Sequence, residues 1–529
     1  MKIILVIILF VIGIDSVLYA SFLNEPYAYG VAALLLVLSG YLSRSWFRVS
    51  RKSKGIVGFS VGDAMEVTDP GKPVRVIDAR ISAATFNLGT LVIGSQGSGK
   101  TESVLLGLSD AQKTVLPKTG HALFDGKGDI DIYKKYTARN GQPDYFFSTE
   151  LPGSQTMNLF EGDSHDVIER MVYLLIGTTS STSFYSDNQR DVLMRVVPLL
   201  KNLSSPSNLR DLYVVLSQES AALELLEMAR AENVNPAMIA MFEQWLASDD
   251  FNKRFNEIKG MLNRLFVFVN SPFSARLNAY QPDIQIDRVI ENRQRVYFHM
   301  PYTEFSVDVA TAITEMFAVV ARKRQLDGPE NMSTFPLFYD DWGKFFYKGF
   351  SPFQARCRSA NMPLLFSFQS YAQLAEVSET FAEQLDDMTA TKIILRCLGE
   401  KTGNYAVRLM GEYDRYEVSK SELGSRHSTS LLTRSVFRLN TRDLKALQAG
   451  EAYVSTLVQH DGNVESPLWK THLPLPDFYG WQSVVMPVAQ KHEEGRGLGF
   501  WQKYFDPKYS EQLIENARAN AEAYREVLI

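Results

Sequence analysis

Cysteine is nearly absent from the 529 residues: only Cys357 and Cys397 occur, which excludes a disulfide scaffold and any multi-cysteine zinc or iron–sulfur site. Histidine is scarce as well, seven residues without His-x-x-x-His spacing, so the usual zinc-hydrolase helix is missing. There is no excess of cations. Lys plus Arg number 55 against 60 for Asp plus Glu, a net charge of −5, which excludes a uniformly basic nucleic-acid wrapper but not a local basic lining. Internal repeats and low-complexity tracts are also missing. What remains is an ordinary globular composition, 45% hydrophobic and 22% charged, in a chain long enough for several folding units. Any chemistry must come from carboxylates, Lys, Arg, hydroxyls and backbone amides.

Long apolar runs occur only at the amino end. Ile3 to Ile14 and Val17 to Phe22 are interrupted by Asp15 and Ser16, and a second run follows from Tyr27 to Leu42. A helix of about 20 residues crosses the hydrocarbon core, so residues 1–50 read as a transmembrane hairpin. Arg44, Arg48, Arg51, Lys52 and Lys54 follow without an acid among them, and the positive-inside rule puts the remaining body in the cytoplasm. The expected location is a membrane, crossed more than once. A cleaved signal peptide, with Lys2 as its charged end and Leu18-Tyr19-Ala20 as its cleavage site, is the competing reading of the first run; the second would still anchor the chain.

The body reads as α/β. Buried strands are expected at Thr90 to Ile93, Ala122 to Phe124, Arg295 to Met300, Pro336 to Tyr339, Leu364 to Phe368 and Lys392 to Leu398, alternating with helices. Such alternation implies a parallel sheet covered on both faces. Between about 165 and 270 the apolar period becomes 3.6, as in Val192-Leu193-Val196-Val197-Leu200, which predicts an all-helical insertion. The expected division is 55–180 and 273–480 for the two parts of a nucleotide-binding core, 181–272 for the all-α domain, and 485–529 for a polar helical tail.

Gly94-Ser95-Gln96-Gly97-Ser98-Gly99-Lys100-Thr101 matches the phosphate-loop pattern in full, with a strand before it and a helix after. Glycines let successive amides curl toward phosphate oxygens, Lys100 would reach the β- and γ-phosphates of ATP, and the Thr101 hydroxyl would ligate Mg2+. The strand Phe335 to Tyr339 ends in Asp340-Asp341, at the strand end where α/β sheets bind ligands. Asp340 is expected to hold magnesium through water and Asp341 to polarise the attacking water; a simple helix cap is the competing reading. Gln369, at the next strand tip, is a candidate sensor of the γ-phosphate. Arg356 and Arg358 are candidates either for an arginine finger acting across a subunit boundary or for surface ion pairs.

These features in this order resemble the type IV secretion and conjugation coupling proteins, membrane-anchored ATPases of the FtsK–HerA superfamily. The resemblance spans roughly residues 1 to 475 and includes Phe124-Asp125-Gly126-Lys127-Gly128 and Arg358, followed eleven residues later by Gln369-Ser370-Tyr371-Ala372-Gln373-Leu374. Glu102 is more reminiscent of the Dot/Icm-like and IncI-plasmid branch. The resemblance implies a RecA-like P-loop NTPase core, a homo-hexameric ring at the membrane and channel proteins as partners. It also implies relaxase-bound single-stranded DNA or effector proteins as cargo and ATP hydrolysis as the drive. In that reading Arg358 is the finger and the helical insertion receives cargo. Two features depart from the family pattern: Asp341 stands where relatives carry Glu, and the loop between the spans is short. A nucleotide-binding scaffold with little hydrolysis and a chromosome-segregation motor are the alternative readings.

Overall fold

The computed structural model describes residues 58–67, 74–176, 184–248, 250–328, 332–423, 426–460, 463–488 and 500–505. The expected membrane hairpin and the tail Pro507 to Ile529 lie outside them. Among the described residues no helix is long and apolar enough to cross a membrane. Two compact units emerge, one from residues 1–115 and 389–476, the other from 116–388 and 477–529.

The first unit is built on a sheet in the order Val74–Ser82, Gly58–Glu66, Leu468–His472, Glu451–Ser455, Thr391–Ile394, Thr90–Ile93. Thr90–Ile93 pairs in parallel with Thr391–Ile394, residue for residue from Thr90–Thr391 to Ile93–Ile394. The other pairings are antiparallel. Thr90–Ile93 is buried at every position, as a strand covered on both faces must be. Strands Glu412–Leu423 and Arg426–Phe437 pair only with each other, over twelve residue pairs.

The second unit carries a wholly parallel sheet in the order Leu364–Phe368, Leu337–Asp340, His121–Asp125, Arg295–His299, Tyr145–Ser148. Aromatic rings tie its centre together: Phe124 stacks on Phe298 at 4.4 Å and on Tyr339 at 4.3 Å between ring centroids. Both neighbours lie beside Phe124 in register, so the ladder follows from the strand pairing itself. The registers also line up four polar strand ends, Asp340, Asp125, His299 and Ser148, in one row.

Between Tyr145–Ser148 and Arg295–His299 the described residues hold helices and no strand; the long ones are Phe184–Asn202 and Phe251–Asn270. The 3.6-residue apolar period thus falls on helices. Helix Leu209–Ser217 starts on a reciprocal Asn208–Asp211 capping box, and the Tyr280 hydroxyl donates to Asp211 at 2.9 Å, fixing this buried helix end. The all-parallel expectation needs correction at the flank. The strands outside the alternating βα pattern, Gly58–Glu66, Val74–Ser82, Glu451–Ser455 and Leu468–His472, join antiparallel, a pairing that does not need the crossover helix that links parallel neighbours.

Candidate functional site

The phosphate-loop sequence forms a loop held at both shoulders. Strand Thr90–Ile93 delivers Gly94 into it; the Ser95 amide and hydroxyl both donate to the Arg396 carbonyl at 2.8 Å, and the Gly450 amide donates to the Ser98 carbonyl at 2.9 Å. Gly97 and Gly99 adopt φ of +69° and +102°, left-handed values open to glycine at little cost. At Gly94 the constraint is space: a Cβ there would lie 2.5 Å from Ser98 Oγ and 2.9 Å from Leu395 Cβ.

Lys100 opens the following helix. It is only 7% exposed, and its ammonium donates to the Gly94 carbonyl at 2.7 Å and the Ser95 carbonyl at 3.3 Å, folded back over the loop. The helix begins with a widened turn over Lys100–Leu106, and no side chain caps its start. Ser98 Oγ is buried without a hydrogen-bond partner. An inward cation, a helix start without a side-chain cap and an orphaned hydroxyl gather positive charge and donors at the loop, which suits a polyphosphate. The donor set therefore fits the expected nucleotide.

The acidic strand tip belongs to the second unit. Asp340, 1% exposed, accepts from the Ser367 hydroxyl at 2.8 Å, and that hydroxyl accepts from the Asp341 amide at 2.9 Å. Asp341 has φ of +49°, a left-handed conformation uncommon outside glycine and a local cost that a packed surround must offset. The Gln369 amide nitrogen donates to both Asp341 carboxylate oxygens, at 2.9 and 2.8 Å. Gln369 is itself held, because its backbone N–H and that of Ser370 donate to Gln373 Oε1 at 2.9 and 3.1 Å, part of the capping box of helix Tyr371–Ala375.

Beside Asp340 in register stands Asp125, fully buried. Its carboxylate accepts from the amides of Lys127, Gly128 and Asp129 at 3.0, 2.9 and 3.1 Å and from the Tyr297 hydroxyl at 3.0 Å. Burial, reinforced by the Asp340 carboxylate, pushes its pKa up to about 7 against the pull of those donors. Asp125 thus shapes the turn from the strand into helix Ile130–Asn140, which Asp129 caps through the Asp131 amide at 3.0 Å.

Asp340, Asp341 and Gln369 accordingly form one cluster, and Gly94 to Thr101 form a separate loop in the other unit. Arg356 and Arg358 are exposed on the last turn of helix Phe350–Ser359. That turn precedes the start of strand Leu364–Phe368, whereas the acidic cluster sits at strand ends. A five-residue strand rises roughly 13 Å, beyond the reach of an arginine side chain. Within its own chain Arg358 does not join the cluster. Sequence reasoning noted the Asp125-Gly-Lys-Gly-Asp run without giving Asp125 a role; an acid followed at once by two alternate glycines was the available signal. Ser367 and Tyr297 carried none.

Residues 337–447 match the family model described as the TraM recognition site of TraD and TraG. No curated protein sequence matches the chain. In fold the chain is similar to the bacterial conjugative coupling protein TrwBdeltaN70 in its unbound form (TM-score 0.54, 15% identity, covering 81% of this chain and 91% of that one). It is similar to the plasmid coupling protein TrwB in complex with the non-hydrolysable ATP analogue ADPNP (TM-score 0.54, 15% identity, 75% and 88% covered). The TrwB complex with ADP and Mg2+ is a further match (TM-score 0.51, 13% identity, 75% and 88% covered). The chain is thus similar to conjugative coupling proteins in sequence over that stretch and in fold over most of its length.

Proposed function

We propose that this chain is a conjugation-type coupling ATPase, anchored in the bacterial inner membrane with its body in the cytoplasm, assembling as a homo-hexamer. Its cargo is relaxase-bound single-stranded DNA, effector proteins or both, handed to a secretion channel. The observation that carries the reading is the loop 94–101, with Lys100 folded inward and the Ser98 hydroxyl orphaned in its interior, in a fold shared with coupling proteins.

In this reading the loop amides and Lys100 hold the triphosphate of ATP, Thr101 and Asp340 serve its magnesium ion, and Asp341 orients the attacking water. Magnesium supplies charge neutralisation on the phosphoryl oxygens. Ser367 orients Asp340 through its hydroxyl, and Gln369 sets the rotamer of Asp341. The described recognition site for TraM makes residues 337–447 the stretch to test for docking of a protein partner from the DNA-processing side.

A second reading, a nucleotide-dependent scaffold that hydrolyses little, has one observation in its favour. Both Asp341 oxygens are already engaged by one amide, so this short carboxylate is a poorly available base. Measuring Mg-ATP affinity and turnover of the full-length chain, with and without single-stranded DNA, separates the two. The motor reading expects stimulated turnover, and Lys100→Ala should abolish it. Tight binding with background turnover under every condition favours the scaffold, and absence of Mg-ATP binding overturns both.

A further inference from the structure

The turn that follows strand His121–Asp125 is stapled to the acidic strand tip by its backbone. The Gly126 amide donates to the Asp340 carbonyl at 3.0 Å, and a Cβ on Gly126 would lie 2.8 Å from that oxygen and 3.0 Å from the Asp341 carbonyl oxygen. Gly128 has φ of +64°, and a Cβ there would come within 2.5 Å of the Pro301 ring. Between these two glycines stands Lys127, whose own amide donates to the Asp125 carboxylate at 3.0 Å. Close backbone approach of a kind that glycine alone allows locks both neighbours. The point from which the Lys127 side chain departs is therefore fixed beside Asp340 and Asp341.

The side chain itself is held loosely. It is 49% exposed, and its ammonium donates to Asp129 at 2.9 Å. Ion pairs this open to water contribute little, so the ammonium can exchange Asp129 for a stronger acceptor at small cost. The Asp129 carboxylate, with Asp125 and Asp340 adding to it, raises the ammonium's pKa above its ordinary value although the side chain has lost part of its water. The cation thus stays charged within the field of the acidic tip. An ordinary surface ion pair needs no such rigid mounting. A phosphoryl oxygen is the stronger acceptor that suits it, since hydrogen bonds between charged partners are about twice as strong as neutral ones.

We propose that Lys127 is a second phosphate-contacting cation of the nucleotide site, leaving Asp129 for the γ-phosphate when ATP binds and resting on Asp129 when ADP is bound. The assignment rests on Asp340 serving the nucleotide's magnesium ion, as in the function proposed above.

Calorimetric titration of the full-length chain with Mg-ADPNP and with Mg-ADP reads this contact without turnover. Lys127→Met should weaken ADPNP binding about 10- to 100-fold, the scale of one hydrogen bond between charged groups, and ADP binding less than about twofold. Retained ADP affinity also shows that the variant is folded. Lys127→Arg, which keeps the charge, should bind ADPNP within about threefold of the wild type. Equal losses for the two nucleotides in Lys127→Met, no loss for ADPNP, or an arginine variant as weak as the methionine one each overturn the assignment. In those cases wild-type binding that is lost in Lys100→Ala leaves the wider reading standing. A wild-type chain that binds neither nucleotide overturns both.

Discussion

Asp125 offers the sharpest test of the acidic strand tip, because its fold contribution and its charge can be varied separately. Three amides and one phenol converge on a carboxylate with no solvent exposure. Asp125→Ala would strand the Tyr297 hydroxyl in the core and the three amides in a partly wetted turn, a loss of about 3 to 6 kcal/mol at roughly 1 kcal/mol or more per orphaned donor. Asp125→Asn keeps the shape and one acceptor while removing the charge. The wild-type acid, pushed up to about 7 from the ordinary 3.8, binds its proton more tightly folded than unfolded. Stability is therefore fully present below pH 4 and is lost as pH rises through 7; a gap of about three units amounts to a decline of order 4 kcal/mol. Urea denaturation of the full-length chain in chelator, at pH 5, 6, 7 and 8, should show the wild-type midpoint falling with pH more steeply than that of Asp125→Asn. The variant is the weaker protein at pH 5, and the gap closes or reverses by pH 8. Parallel curves for the two proteins would refute the argument that burial and Asp340 govern this carboxylate.

Three further outcomes follow from the geometry. Gln369→Ala releases both Asp341 oxygens, and steady-state assays should find turnover reduced about 10- to 100-fold with Mg-ATP affinity nearly unchanged; an affinity loss instead would move Gln369 to the nucleotide. Gly94→Ala places a methyl group 2.5 Å from Ser98 Oγ, so direct titration should find nucleotide affinity at least about tenfold weaker, the effect of overpacking a tight loop. An unchanged affinity would show that the loop interior is not where phosphate sits. Arg358→Ala should spare nucleotide binding yet lower turnover when mixed with active subunits, because the residue sits on the helix turn before strand Leu364–Phe368, at the opposite end of that strand from its own cluster. Lost binding by the isolated variant would contradict that.

The βα alternation was legible in the sequence because strands buried on both faces are short, solidly apolar runs. Thr90–Ile93 and Leu364–Phe368 fall where the apolar runs put them, residue for residue. The phosphate loop was legible for a related reason: its glycines answer to local backbone needs that no distant contact can replace. Tyr145–Ser148 escaped notice as a four-residue aromatic run, short for any periodicity to register, and its place as an edge strand is decided by pairing with Arg295–His299. Glu451–Ser455 and Leu468–His472 were equally hidden, since half-polar strands take their identity from antiparallel partners far along the chain, here Thr391–Ile394 and Gly58–Glu66.

The site divides along the same line. Residues whose role is local, such as Gly97, Gly99 and Lys100, declare themselves by spacing. Residues whose role is set by register do not. Asp125 matters because parallel pairing puts it beside Asp340, and Ser367 because the strand before Gln369 lies beside the strand carrying Asp340 and Asp341. Asp341 shows the consequence for chemistry. By sequence it is a carboxylate one methylene shorter than the glutamate that the resemblance leads one to expect. In the fold its left-handed backbone and its pairing with Gln369 are what aim it, so chain length alone does not decide its reach. The two features make opposite demands on Asp341→Glu. The longer side chain adds reach, but the Gln369 amide now meets a carboxylate displaced by one methylene. If orientation by Gln369 governs the reaction, Asp341→Glu lowers turnover; if reach governs, it raises it.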